Sequence, residues 1–226
     1  MEGFKPYDGS CVDMGLGEIE QALPNKSFPL GTVHEVLSTG ITDAAAASAF
    51  VACLLAPLIQ AHGVAFWISS SRKVSPLALT QFGIRPDSVI FVDLKREREV
   101  LWAVEESLKC AALAAVVADV QEISFMASRR LQLAVEQSRV TGFLLRRDPR
   151  TIGATASVAR WRISGLPSND RLQPGMPGVS FPRWRIDLER IKNGKPGSWN
   201  LECVEGKFVV DQKIDATLKE RNRRIG

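Results

Sequence analysis

The segment Leu37-Ser38-Thr39-Gly40-Ile41-Thr42-Asp43-Ala44 joins a short apolar run to an alanine-rich one. A strand-to-helix junction of this kind is where a phosphate loop, G-x-x-x-x-G-K-[ST], is built. Its glycines let backbone N–H groups close around phosphate, its lysine neutralises charge, and its hydroxyl holds Mg²⁺. Here Gly40 is the single glycine and no lysine is present. Asp43 adds negative charge where a triphosphate would dock. Ser38, Thr39, Gly40, Thr42 and Asp43 therefore form a degenerate nucleotide loop. A helix N-terminus still offers free N–H groups, but a dipole alone does not replace lysine and metal together. ATP hydrolysis is not expected, and no catalytic residue or cofactor is assigned.

Asp119 closes the apolar run 112–118. It reads either as a relic of metal binding or as an Asp that caps the following turn. Arginines are the other reactive resource. Arg146, Arg147 and Arg150 follow a strand directly, and Arg129 and Arg130 lie near the start of a helix. Each group reads as a contact to DNA phosphate or to a partner's carboxylates, or as a solvated face. Trp161 and Trp184 each sit between two arginines, and Trp199 lies nearby. Tryptophans so placed stack on bases, or pack on one side of a strand while the arginines point to the other. His34 and His62 are too few for a His-rich metal site, and no Ser-His-Asp or Cys-His arrangement stands out. Cys11, Cys53, Cys110 and Cys203 are widely spaced without a C-x-x-C pair, which predicts free thiols, a reducing cytoplasmic setting and no metal.

The elements that must position these residues alternate. Strands are predicted at 32–37, 64–68, 89–92, 112–118 and 141–145. Helices are predicted from Thr42 or Asp43 to Ala61, after Ser75-Pro76, over 97–111 and over 124–138. This order argues for an α/β fold with a mainly parallel sheet flanked by helices. After residue 155 the pattern becomes two-residue alternation at 158–163 and 183–191. Asn193-Gly194 and Glu205-Gly206 then mark hairpins into 198–204 and 207–210, a C-terminal antiparallel meander. Residues 1–30 read as an irregular arm, 31–211 as the core with its extension, about 167–182 as a mobile loop, and 212–226 as a basic tail.

The chain of 226 residues is 45% hydrophobic and 24% charged, with net charge +4. That suits a globular domain with a sizeable core. The apolar stretch Ala44–Ile59, interrupted by Pro57, reads as a buried helix, so no membrane segment is expected, and Met1–Ser10 has no signal-peptide pattern. Basic charge gathers late: a local +6 over Arg129–Arg162 and +3 over Gln212–Gly226. Such patches mark a nucleic-acid surface or solvated faces. Lys219, Arg221, Arg223 and Arg224 are candidates for tail docking.

The order of segments is itself informative. "FPLGTVHEV" entering "LSTG" and an alanine-rich helix resembles the entrance to a RecA core, and "CAALAAVVADV" resembles the strand that ends in a Walker B aspartate. "FGIRPDSVIFV", "LWAVEESL", "SRRLQLAVEQSRVTGFLLR" and "ARWRI…RWRIDLERIKNGKPGSW" resemble the ImuA family of RecA-like proteins, over roughly residues 12–204. A RecA-type enzyme would carry its catalytic glutamate where this chain has Ser69-Ser70-Ser71. The resemblance implies a non-hydrolysing accessory factor in SOS-induced, error-prone translesion synthesis. Its implied partners are an ImuB-type inactive Y-family polymerase relative, RecA and an error-prone DnaE-type polymerase assembly, with single-stranded DNA as a further candidate. The alternatives are a SulA-like cell-division inhibitor that binds FtsZ, and an ATPase with an unorthodox loop.

Overall fold

The structure is a computed structural model and describes residues 12–167, 181–204 and 206–210. The proposed loop at about 167–182 lies mostly outside the described residues, as does the basic tail with Lys219, Arg221, Arg223 and Arg224. The strands are β1 (Val33–Ser38), β2 (Val64–Ser69), β3 (Val89–Asp93), β4 (Leu113–Asp119), β5 (Thr141–Arg147), β6 (Ala159–Leu166), β7 (Arg183–Ile191), β8 (Gly197–Val204) and β9 (Lys207–Val210). The helices are α1 (Gly40–His62), α2 (Glu97–Leu108) and α3 (Phe125–Ser138).

Among the described residues the strands form one nine-stranded sheet in the order β3-β2-β4-β5-β1-β6-β7-β8-β9. Strands β1 to β6 pair in parallel, and β6 to β9 continue antiparallel. Every residue of β1 is buried, as a central strand covered on both faces requires. Alternate residues serve opposite faces. Val36, Phe143, Leu145 and Trp161 pack with α1, whereas Val33 and Leu144 pack with α2 and α3. Trp161 and Trp184 are buried, with Arg160 and Arg162 at the less buried alternate positions of β6. The two tryptophans therefore belong to the core.

Local chemistry fixes the ends. Gly63 stops α1 with φ +99° and its N–H on the Ile59 carbonyl at 2.8 Å. Ser124 caps α3 by accepting the Ala127 N–H at 3.1 Å. In the turn between β7 and β8, Asn193 adopts φ +60°. A Cβ on Gly194 would lie 2.5 Å from the Ala22 carbonyl oxygen, so only glycine lets this turn sit against the N-terminal segment.

Three expectations change. First, helix α1 begins at Gly40, with Thr39 and not Thr42 or Asp43 at its cap position. Second, residues 17–22 and 24–26 form 3₁₀ turns rather than an irregular arm. Leu16, Ile19 and Leu23 recur on one side of those turns and are buried in the α1-side core. Third, the segment after Ser75-Pro76 is a 3₁₀ helix (Pro76–Phe82). Helix α1 is long and apolar enough by composition to cross a membrane, yet 61% of its most apolar window is buried within the fold.

Candidate functional site

Parallel pairing brings the C-terminal ends of β1, β2, β4, β5 and β6 to one edge of the sheet, the edge where open α/β sheets bind ligands. The degenerate loop lies here. Ser38 ends β1 and is buried, Thr39, Gly40 and Thr42 are exposed, and Asp43 falls in the first turn of α1.

The chain supplies its own anions to this helix end. The Gly40 N–H donates to the Asp148 carboxylate at 2.7 Å. Asp148 is held in place at φ +46°, with its own N–H on the Ser38 carbonyl at 3.0 Å. Asp43 accepts the Gly165 N–H at 2.9 Å, tying the first turn of α1 to the end of β6. Carboxylates at a helix N-terminus are favoured by the dipole and by the free amides. Asp148 thus meets the first amide of α1, where a nucleotide loop would present that amide to a phosphate oxygen.

The cation site is treated the same way. Asp119, at the end of β4, lies under the guanidinium of Arg147, which donates to Asp119 Oδ1 from Nε at 3.1 Å and from Nη2 at 2.9 Å. Arg147 also donates to the Ala44 carbonyl at 3.2 Å and to Ser48 Oγ at 3.1 Å, both on α1. The pair is largely enclosed. Burial pushes the Asp119 carboxyl above the usual range, and Arg147 and Lys73 pull it partly back. Asp119 is thus one half of an internal ion pair. Asp119 Oδ1 and most of the Arg147 guanidinium are therefore engaged within the fold, and the Arg147 side chain is 13% exposed.

Arg146 faces the opposite side of β5, and its side chain is 1% exposed. Nη1 donates to Glu35 Oε1 at 2.6 Å, Nη2 to Glu122 at 3.2 Å and to the Thr151 carbonyl at 2.9 Å, and Nε to the Gln121 carbonyl at 3.1 Å. Glu35 is fully buried, and its second oxygen accepts from Arg160 at 2.8 Å and Thr155 at 3.0 Å. The network ties β1, β5 and β6 to the loop after β5 and takes Arg146 out of reach of any ligand. Of the three arginines, only Arg150 exposes its side chain.

Arg129 and Arg130 are both exposed on α3, and Arg130 pairs with Glu105 of α2 at 2.9 Å. Glu35, Ser48, Glu122, Asp148 and Arg160 are the site residues that sequence reasoning missed. Glu35 carried a signal, a carboxylate in a strand that also holds Val33, Val36 and Leu37, where a buried charge calls for a partner. The others carried none.

Two hollows open at this edge. A polar cleft of about 240 Å³ is lined by Ser70, Ser71, Lys73, Asp119, Arg147 and Asp148. An apolar groove of about 930 Å³ runs along α1, with Ala45, Ala49, Ala52, Leu79, Phe82 and Trp184 among its walls.

No family model matches the chain. It is 34% identical to Protein ImuA of Caulobacter vibrioides strain NA1000 / CB15N, over 95% of this chain and 96% of that protein. Protein ImuA of strain ATCC 19089 / CIP 103742 / CB 15 matches with the same identity and the same coverage. Among solved structures, the crystal structure of the RadB recombinase superposes with a TM-score of 0.60 at 14% identity, covering 87% of this chain and 98% of the other. That likeness concerns the fold.

Proposed function

The chain belongs to the ImuA family and has a RecA-like fold with an antiparallel C-terminal extension, and from this we propose that it is a non-hydrolysing accessory factor of SOS-induced, error-prone translesion synthesis. The observation that carries the reading is that the chain's own side chains occupy the strand-end site. Asp148 holds the amide at the start of α1, and Arg147 covers Asp119. A protein arranged in this way works by binding partners and not by turning over nucleotide. Family membership favours this reading over the cell-division alternative. The partners we propose are the ImuB-type polymerase relative, RecA and the DnaE-type assembly, in the cytoplasm, with single-stranded DNA as a further contact for Arg150.

The paired helices α2 and α3 offer the surface best suited to a protein partner. The Glu105–Arg130 ion pair joins them. Trp102, one turn before Glu105, is 66% exposed, and Met126, one turn before Arg130, is 73% exposed. Exposed Trp, Met and Arg together are typical of interface cores, and Arg129 completes the set. The basic tail is the second proposed docking element.

The test has two arms. Calorimetric titration of ATP, with and without Mg²⁺, is expected to give no binding, and micromolar affinity would overturn the non-hydrolysing reading. In a strain lacking the gene, Trp102→Ala/Arg129→Glu is expected to fold normally, lose capture of the polymerase-relative partner and fail to restore damage-induced mutagenesis. Full capture and restored mutagenesis would remove this surface from the proposal.

A further inference from the structure

Cys53 on α1 and Cys203 on β8 point their sulfurs at each other, with Sγ–Sγ 2.9 Å. This is inside the ordinary contact distance of two sulfurs and only about 0.9 Å longer than a disulfide bond. The two residues are 1% and 3% exposed and lie 150 positions apart in sequence. Fold geometry, not chain proximity, has matched them. Cys110, by contrast, is exposed and has no such neighbour among the described cysteines.

We propose that Cys53 and Cys203 form a reversible disulfide when the protein meets a peroxide oxidant, and that this bond clamps α1 to the C-terminal meander. The two thiols are not equivalent. The contact with Cys53 and the Gly206 amide lower the Cys203 thiol against the effect of burial, while Cys53 is raised by the same contact and by burial. In this scheme Cys203, the lowered thiol of the pair, meets the oxidant as its thiolate. Its attack on one oxygen breaks the O–O bond and gives a sulfenic acid, and the displaced hydroxide takes up the proton released when Cys203 ionised and leaves as water. The Cys53 sulfur then displaces the hydroxyl from the sulfenic sulfur. The S–S bond forms, and the second water carries away the Cys53 proton. The two sulfurs lose two electrons and the peroxide gains them.

The position of the bond gives it a consequence. Ala52, next to Cys53, lines the apolar groove along α1. Pro182, whose carbonyl accepts the Cys203 N–H at 2.9 Å, lines the same groove. A Cys53–Cys203 bond therefore ties together two segments that border this groove.

The experiment uses the full-length, reduced chain. It is treated with hydrogen peroxide, denatured, alkylated, and digested without reductant. The expected result is loss of two hydrogens in intact mass, disappearance of alkylated Cys53 and Cys203, and one cross-linked peptide joining them. Reductant should restore both thiols, and the oxidised protein should melt at a higher temperature than the reduced one. Recovery of Cys53 and Cys203 as alkylated thiols while Cys110 is oxidised would overturn the proposal. So would either residue appearing as sulfinic acid without the cross-link, or a lower melting temperature on cross-linking. Cys53→Ala is expected to leave Cys203 as a sulfenic acid trapped by dimedone. The wild-type cross-link stands as the decisive reading where that variant does not fold.

Discussion

Arg146 is the residue whose role changes most between sequence and structure, and replacing it tests the difference. Arg146→Ala removes four hydrogen-bonding contacts at once, to Glu35, Glu122, Gln121 and Thr151. It leaves Glu35, which is 0% exposed, with one cation instead of two. Breaking a buried pair by deleting one partner costs about 3–5 kcal/mol. Arg160 and Thr155 still reach Glu35 at 2.8 and 3.0 Å, which holds the loss near the lower end. For a chain of this size about 3 kcal/mol lowers Tm by roughly 6–12 °C. Urea unfolding and thermal melting measure it, with Arg129→Ala as the exposed comparison, expected within about 0.5 kcal/mol of wild type. A double-mutant cycle with Glu35→Gln should show the two losses to be less than additive, because both remove the same contact. An Arg146→Ala protein that melts like wild type and binds single-stranded DNA more weakly would refute the buried-network argument and return the residue to the surface.

His34 gives a pH dependence of defined sign. Its ring is fully buried, burial lowers it to about 4 against the Pro29 carbonyl bond, and it stays neutral, with the Trp161 indole N–H donating to Nδ1 at 3.3 Å. The unfolded chain takes up this proton below about 6.5, so stability is complete above that pH, falls as the pH drops toward 4, and loses nothing more from this group below it. The loss is about 3 kcal/mol, and comparing urea midpoints of wild type and His34→Phe across this window isolates it. Asp119→Asn is expected to lose about 1–3 kcal/mol by weakening the Arg147 pair, and to leave ATP binding absent in calorimetry. Asp148→Ala is expected to lose about 1 kcal/mol from the start of α1 and also to gain no ATP affinity, since the lysine is still missing. Titratable ATP binding in Asp148→Ala would show that the carboxylate alone closes the site.

The strands and helices were legible because their signals are local. "VAFWI" and "LAAVV" are continuous apolar runs, and each became a strand within a residue or two of its expected bounds. Ser124 announced the start of α3, and Gly63 the end of α1. The segment 17–26 was misread because Gly15, Gly17 and Pro24 look like punctuation. Its apolar residues at 16, 19 and 23, spaced three and four apart, are buried together on one side.

What the sequence determined alone was the missing lysine at the strand–helix junction, and with it the expectation that nucleotide is not turned over there. That conclusion needs only residue types, because no other side chain combines the lysine's reach and charge. What fills the junction instead was decided by tertiary structure. Asp148 reaches Gly40 across 108 positions, and Arg146 reaches Glu35 across 111. Arg146 and Arg147 are adjacent and chemically identical, yet successive residues of a strand face opposite ways. One therefore enters the α2–α3 face and the other the α1 face. A run of arginines in sequence states how much positive charge is present, and only the packed sheet determines whether a carboxylate or solvent meets each one.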